Sequence, residues 1–233
     1  MRGLSGELAL ANPARDATAL TLVEVSALDP ELSTPVEKVI HTPVENIPLN
    51  HQPLYSPVRR WQWLGANHND LLRQIRRIAL DWHVQALVVD ATGVGAGLAS
   101  FLEAALPGRV VPFTFNAASK SKLGWDFLSV VDSGRWREPG YSPELAANET
   151  AYQAEFIHQL ENCTFSVSNG PEQHIRWGVP DGSRYPQTNE LLHDDWILSA
   201  ALCTLLENRD WINPSPALVI TAPDPLKESE GKF

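Results

Sequence analysis

Three stretches of the 233-residue chain combine residue types that could do chemistry. The first is Val88-Val89-Asp90-Ala91-Thr92-Gly93-Val94-Gly95, a carboxylate at the end of an apolar run followed by glycines. Open α/β sheets gather ligands beyond the C-terminal ends of their strands. Glycine there permits a tight turn and the close approach of a ligand or another chain segment. The same residues also suit a turn aspartate with packing glycines. A phosphate loop ahead of a helix is a further reading, but no Gly-Lys-Ser/Thr follows and the spacing matches neither common nucleotide fingerprint. The second stretch is His193-Asp194-Asp195, ahead of an apolar run. One aspartate there could be a helix N-cap favoured by the helix dipole. Two adjacent aspartates repel each other and face losing solvation. A divalent cation would relieve both problems, because Mg²⁺ takes carboxylate oxygen. The third feature is basic: Lys120, Lys122, Arg135 and Arg137 are candidates for phosphate contact, with solvated surface charge as the alternative. Arg59, Arg60, Arg73, Arg76 and Arg77 extend that set.

The elements that must position these groups follow from the sequence pattern. Residues 17–25 are rich in β-branched side chains and predict a strand. Prolines at 30, 35, 43, 48, 53 and 57 exclude a long helix over 26–57, although 36–41 could be a short strand. Another strand is expected over 58–64. Asn67 or Asn69 can cap a helix in which Leu71, Leu72, Ile75, Ile78, Ala79 and Trp82 repeat at helical spacing, with Arg73, Arg76 and Arg77 largely on the other side. A strand over 85–89 ending at Asp90, a helix over 93–106 and a strand over 109–113 make a parallel β–α–β unit. Helices are expected over 119–131 and 144–160. Short strands at 163–167 and 174–178 flank an Asn169-Gly170 turn. The last helix, 191–207, is apolar nearly all round and should be well buried.

Composition sets the outer bounds. The length suits one large domain, over residues 1–210, with a proline- and charge-rich tail over 211–233. No apolar run approaches the ~18 residues of a membrane span, and the first residues lack the apolar core of a secretory signal. These features point to a cytoplasmic setting with no membrane partner. Cys163 and Cys203 form no disulfide framework and read as small buried apolar residues. Seven scattered histidines give no histidine-rich metal cage. With 28 acidic and 18 basic residues the net charge is −10, which argues against broad nonspecific nucleic-acid binding. It does not exclude a DNA enzyme whose basic residues cluster locally.

Three segments resemble the C-terminal nuclease domain of phage DNA-packaging terminase large subunits. They are Arg15-Asp16-Ala17-Thr18-Ala19-Leu20-Thr21, residues 88–95, and His193-Asp194-Asp195 with the alanine- and leucine-rich helix after it. The stretch 115–135, with Lys120-Ser121-Lys122-Leu123 and Gly134-Arg135, is also similar, so the likeness spans about residues 3–208. The resemblance implies an α/β, RNase H-like fold: a mixed central β-sheet flanked by helices on both faces. It also implies an endonuclease that cuts concatemeric DNA with two divalent cations, Mg²⁺ or Mn²⁺. Such metals lie about 3.5–4 Å apart, activate the attacking water and stabilise the leaving oxygen. Of the family's three acidic positions, Asp90 matches the second, and Asp194 and Asp195 both match the third. At the first, the end of a normally central strand, Gly3 stands where the aspartate would fall, with Glu7 and Asp16 as conceivable substitutes. Almost no strand precedes Gly3, which points to a chain that starts inside a longer protein or to a degraded copy. The departure predicts weak metal binding and weak or absent cutting. The implied partners are double-stranded DNA, the terminase ATPase domain, whose nucleotide motif this chain lacks, the small terminase subunit and the portal, in the cytoplasm of a bacterial host. Other readings stay open: a noncatalytic DNA-binding or assembly remnant, another RNase H-like nuclease such as a junction resolvase, and an ATP-binding α/β protein.

Overall fold

The computed structural model describes residues 17–27, 53–140, 147–168, 173–186 and 188–206. The chain opens with two long antiparallel strands, β1 (Ala17–Ala27) and β2 (Pro53–Leu64), paired from Ala17↔Leu64 to Ala27↔Pro53. The register shifts between Leu22 and Val23, which face Arg59 and Pro57, so Val58 is the extra residue of a bulge. This explains why β2 runs further back than the expected 58–64. Pro53 takes the first strand position and Pro57 sits beside the bulge, both places where a missing N–H is tolerated.

Helix α1 (His68–Asp81) is capped by Asn67, whose side-chain oxygen accepts from the Asp70 N–H at 2.9 Å. It buries Leu71, Ile75 and Ala79 and leaves Arg73, Arg76 and Arg77 exposed, as its periodicity predicts. Strand β3 (Leu87–Asp90), helix α2 (Gly95–Ala105) and strand β4 (Val110–Phe113) form the expected parallel unit, with Asp90 opposite Phe113. Gly93 adopts a left-handed φ of +53°, which delays the start of α2 to Gly95. Leu71, Ile75, Leu87, Leu98, Leu102 and Leu106 close one core between α1, α2 and β3.

The second core is built by α3 (Ala117–Asp132), α4 (Ala147–Asn162) and α5 (Asp195–Thr204), around Leu123, Phe127, Phe156, Trp196 and Ile197. Asn116 and Ser119 form a reciprocal capping box that starts α3 two residues before Ser119. Within α5, Trp196, Ile197, Ala200 and Ala201 are fully buried, as an all-round apolar helix should be. The helix begins later than the expected residue 191, because Leu191 bridges to Arg184 and the Leu192 N–H donates to the Ser183 carbonyl at 2.8 Å. A hairpin of β5 (Thr164–Val167) and β6 (Ile175–Gly178) packs through β6 on α3. The chain leaving α3 is fixed to β2: the Tyr55 N–H donates to the Arg135 carbonyl and the Arg137 N–H to the Tyr55 carbonyl, both at 2.8 Å. Arg60 completes that junction with a two-pronged bond to Glu138 at 2.5 and 2.9 Å, its guanidinium over the Phe156 ring.

The single mixed central sheet expected from the resemblance is not formed among the described residues. Strands pair as three separate ladders, β1–β2, β3–β4 and β5–β6. Helix α5 links the first two by packing against both β1 and β3. The segment around Gly3 and Glu7, expected to end a central strand, lies outside the described residues, as do Asp16, the expected strand at 36–41, the Asn169-Gly170 turn and the tail. Cys163 is half-buried, and Cys203 keeps part of its residue surface open while its thiol is enclosed. Among the described residues, no helix is long and apolar enough to cross a membrane.

Candidate functional site

Asp90 ends β3 with its side chain exposed. One carboxylate oxygen accepts from the Thr92 N–H at 2.8 Å, and the Thr92 hydroxyl in turn accepts from the Phe115 N–H at 2.8 Å. The Ala91 N–H donates to the Phe113 carbonyl at 2.7 Å, so the turn after β3 is tied to the exit of β4. Gly95 is required beneath it, because a Cβ there would collide with the Asp90 carbonyl oxygen. The packing role of Gly95 is therefore real, whereas Gly93 serves through its left-handed backbone. This packing fixes the aspartate at the strand end while leaving its second oxygen toward solvent.

Asp194 is the N-cap residue of α5, yet its side chain makes no capping hydrogen bond. The Trp196 N–H is satisfied instead by the buried Gln159 side chain of α4, at 3.0 Å. Gln159 is held by Glu155, which also accepts from the Tyr185 hydroxyl. Burial and the Glu155 carboxylate push the Tyr185 hydroxyl well above its usual range. The Asp194 carboxylate is thus freed from helix capping and turned toward Lys120, at 3.6 Å. It presses on Gly178, where a Cβ would stand 2.5 Å from its oxygen. The φ of +137° at Gly178 independently favours glycine. Lys120 also lies 5.7 Å from the Trp177 ring centre. Burial pushes the Cys163 thiol up, the Asp194 charge adds to this, and a backbone hydrogen bond from Gly178 and the Lys120 charge oppose it. A protonated thiol is a poor nucleophile.

Asp194, Lys120, Trp177 and Gly178 line a polar groove of about 620 Å³ between the β5–β6 hairpin and the approach to α5, with Arg176 and Asp181 also on its walls. The packing of α5 on β3 makes neighbours of the elements that carry Asp90 and Asp195. Asp195, the first residue of α5, is half-buried. Among the described residues, no three His, Cys, Asp or Glu side chains gather as ligands around one point.

The basic candidates divide. Lys122 is held by Asp126 one turn on, at 2.5 Å. Arg135 is only 3 % exposed and donates to the Ser133 hydroxyl, so it offers no charge to a DNA surface. It is a structural residue, fixed by the junction with β2. Arg59 and Arg60 are paired with Glu149 and Glu138. Arg137 is exposed. Sequence reasoning missed Gln159, Trp177 and Gly178. Only Gly178, in a run of turn-forming residues up to Gly182, carried a signal.

No family model matches the chain, and no curated protein matches it. Two solved structures resemble it in fold. One is the large terminase nuclease from thermophilic phage G20c with bound cobalt, at a TM-score of 0.48 and 14% identity over 82% of this chain and 81% of that one. The other is the large terminase nuclease from the same phage, at a TM-score of 0.43 and 18% identity over 65% and 70%.

Proposed function

We propose that the chain is the nuclease domain of a DNA-packaging terminase large subunit, a metal-dependent endonuclease acting on concatemeric double-stranded DNA. One observation carries the reading: α5, preceded by Asp194 and opening on Asp195, packs on β3, which ends at Asp90. Two carboxylates on neighbouring elements suit a hard divalent cation, Mg²⁺ or Mn²⁺. The donors fit in kind, and the lack of a closed three-residue cage among the described residues is no obstacle. Mg²⁺ keeps several waters and binds through one or two carboxylates plus substrate phosphates. Asp90 and Asp195 are the proposed ligands. Asp194 instead holds Lys120 at the rim of the groove. When bound, a pair of such cations lowers the pKa of an attacking water and stabilises the leaving oxygen. The protein side orients: Thr92 fixes the Asp90 carboxylate, and Gln159 fixes the start of α5. The ATPase domain, small subunit and portal are the proposed assembly partners, in the cytoplasm of a bacterial host.

Mn²⁺ binding, followed by electron paramagnetic resonance, and nicking of supercoiled plasmid test this together. The parent should bind Mn²⁺ weakly and nick slowly. Asp90→Asn and Asp195→Asn should each weaken Mn²⁺ binding at least tenfold, a loss of about 1.4 kcal/mol, and abolish nicking. Mn²⁺ affinity unchanged in both variants would overturn the assignment. DNA binding without nicking at any Mn²⁺ concentration would favour the noncatalytic reading, which the open ligand set also suits.

A further inference from the structure

Asp194 takes the backbone place of a helix N-cap: its carbonyl accepts the first bond of α5, from the Leu198 N–H at 2.9 Å. From that place an aspartate side chain ordinarily accepts from the N–H two or three residues on. Two residues on is Trp196, whose N–H is already taken by Gln159 at 3.0 Å. Two acceptors thus stand within reach of one buried donor, and the one from α4 holds it.

Gln159 is itself held by a chain of side chains. Its amide nitrogen donates to Glu155 at 3.1 Å, which turns the amide oxygen toward Trp196. The same Glu155 oxygen accepts from the Tyr185 hydroxyl. Tyr185 is fixed in turn, with its ring stacked on His158 at 5.1 Å and its backbone N–H bonded to the Glu190 carbonyl at 3.0 Å. Gln159 is only 3 % exposed, so water does not compete for either end of its amide.

We propose that Gln159 is a positioning residue for the groove: Asp194 has two seats, the Trp196 N–H and Lys120, and the Tyr185–Glu155–Gln159 chain closes the first. A carboxylate turned back over its own helix start would leave the wall formed by Gly178 and Lys120. The segment that carries Tyr185 runs on into Asp194, so the same contacts set the loop and the carboxylate that follows it. The bearing on cutting rests on the reading of Asp195, the next residue, as a metal ligand. The direction of Asp194 does not rest on it.

Gln159→Met keeps the length and bulk of the side chain but removes its acceptor, so Asp194 should turn back to cap Trp196. Thermal melts and Cys163 reactivity test this, with EDTA present throughout so that neither depends on metal or cutting. In the Gln159→Met background, Asp194→Ala should lower the melting temperature about 2–4 °C further than it does in the parent, the shift expected for loss of a helix cap. The Cys163 thiol is pushed up by burial and further by the Asp194 charge. It should react faster with a disulfide reagent in Gln159→Met than in the parent, and Asp194→Asn should add no further gain there. A glutamine that only supports the fold would lower the melt and leave that rate alone. A second comparison does not depend on the folding of Gln159→Met. Asparagine caps a helix as well as aspartate does, and alanine does not. In the parent background Asp194→Asn and Asp194→Ala should therefore melt within about 1 °C of each other. A gap of about 2–4 °C between those two, equal Asp194→Ala losses in both backgrounds, or a Cys163 rate unchanged by Gln159→Met overturns the proposal. Absence of plasmid nicking by the parent would leave it standing.

Discussion

Asp194 is the residue whose neighbours are most informative. A helix-opening aspartate ordinarily accepts from the first N–H groups of its helix. Here Gln159 does that for Trp196, and Asp194 meets Lys120 and Gly178 instead. Cys163 reports on this arrangement because its thiol feels both charges. Asp194 raises its pKa and Lys120 lowers it. Replacing Asp194 with Asn removes the raising charge, so more thiolate forms at a given pH and reaction with a disulfide reagent at pH 8 should speed up. Lys120→Ala should slow it. Cys203, pushed up to about 12 by burial, should react slowly in all three proteins and serves as the internal standard. Equal Cys163 rates in both variants would show that the carboxylate and ammonium are not seated beside the thiol.

At the scale of elements, the junction between β2 and the exit of α3 adds a buried ion pair to its two backbone hydrogen bonds. Arg60 and Glu138 have side chains only 7 % and 16 % exposed, and Arg60 lies 4.5 Å from the Phe156 ring centre. Truncating one partner of a buried pair leaves an unmatched charge and costs about 3–5 kcal/mol. Glu138→Ala should therefore lower the melting temperature markedly. Lys122→Ala, which breaks a pair whose lysine is 71 % exposed, should cost no more than about 1 kcal/mol. Comparable losses in urea melts would mean that Glu138 is solvated. Nothing in the sequence distinguished Arg60 from Arg59, since both are adjacent strand arginines. The pleat decided it by sending Arg60 inward and Arg59 to a half-open pair. The periodic elements were legible: α1 with its Asn67 cap, the β3–α2–β4 unit with Asp90 at the strand end, and the all-round apolar α5. Pairing between distant strands was not, because local pattern carries no information on which ladder closes. The groove also escaped notice. It is made where Lys120, the β5–β6 hairpin and the approach to α5 converge from segments far apart in sequence.

For the molecule as a whole, a net charge of −10 makes long-range attraction of DNA unfavourable, so any duplex contact must come from charges left free at the right place. The basic set suggested by sequence shrinks accordingly. Arg135 is buried, Lys120 faces Asp194 and Lys122 faces Asp126. Arg137 remains exposed at the exit of α3, its backbone anchored by the bond to Tyr55. A fixed backbone lowers the entropy lost when the side chain meets a phosphate. Arg137→Ala should therefore weaken duplex binding alike for all sequences, because phosphate contacts position without specifying. It should also reduce the salt slope by about 0.9, the share of one phosphate neutralised on B-form DNA. Lys122→Ala should leave affinity and slope near the parent's, because its charge is already matched. Both substitutions are at the surface and should shift stability by no more than about 0.5–1 kcal/mol, so a thermal melt separates lost binding from lost fold. Duplex affinity measured across a salt series for the two variants decides the matter. A parent-like slope for Arg137→Ala together with a flattened one for Lys122→Ala would place the duplex along the outer face of α3, with the Lys122–Asp126 pair opening to admit it.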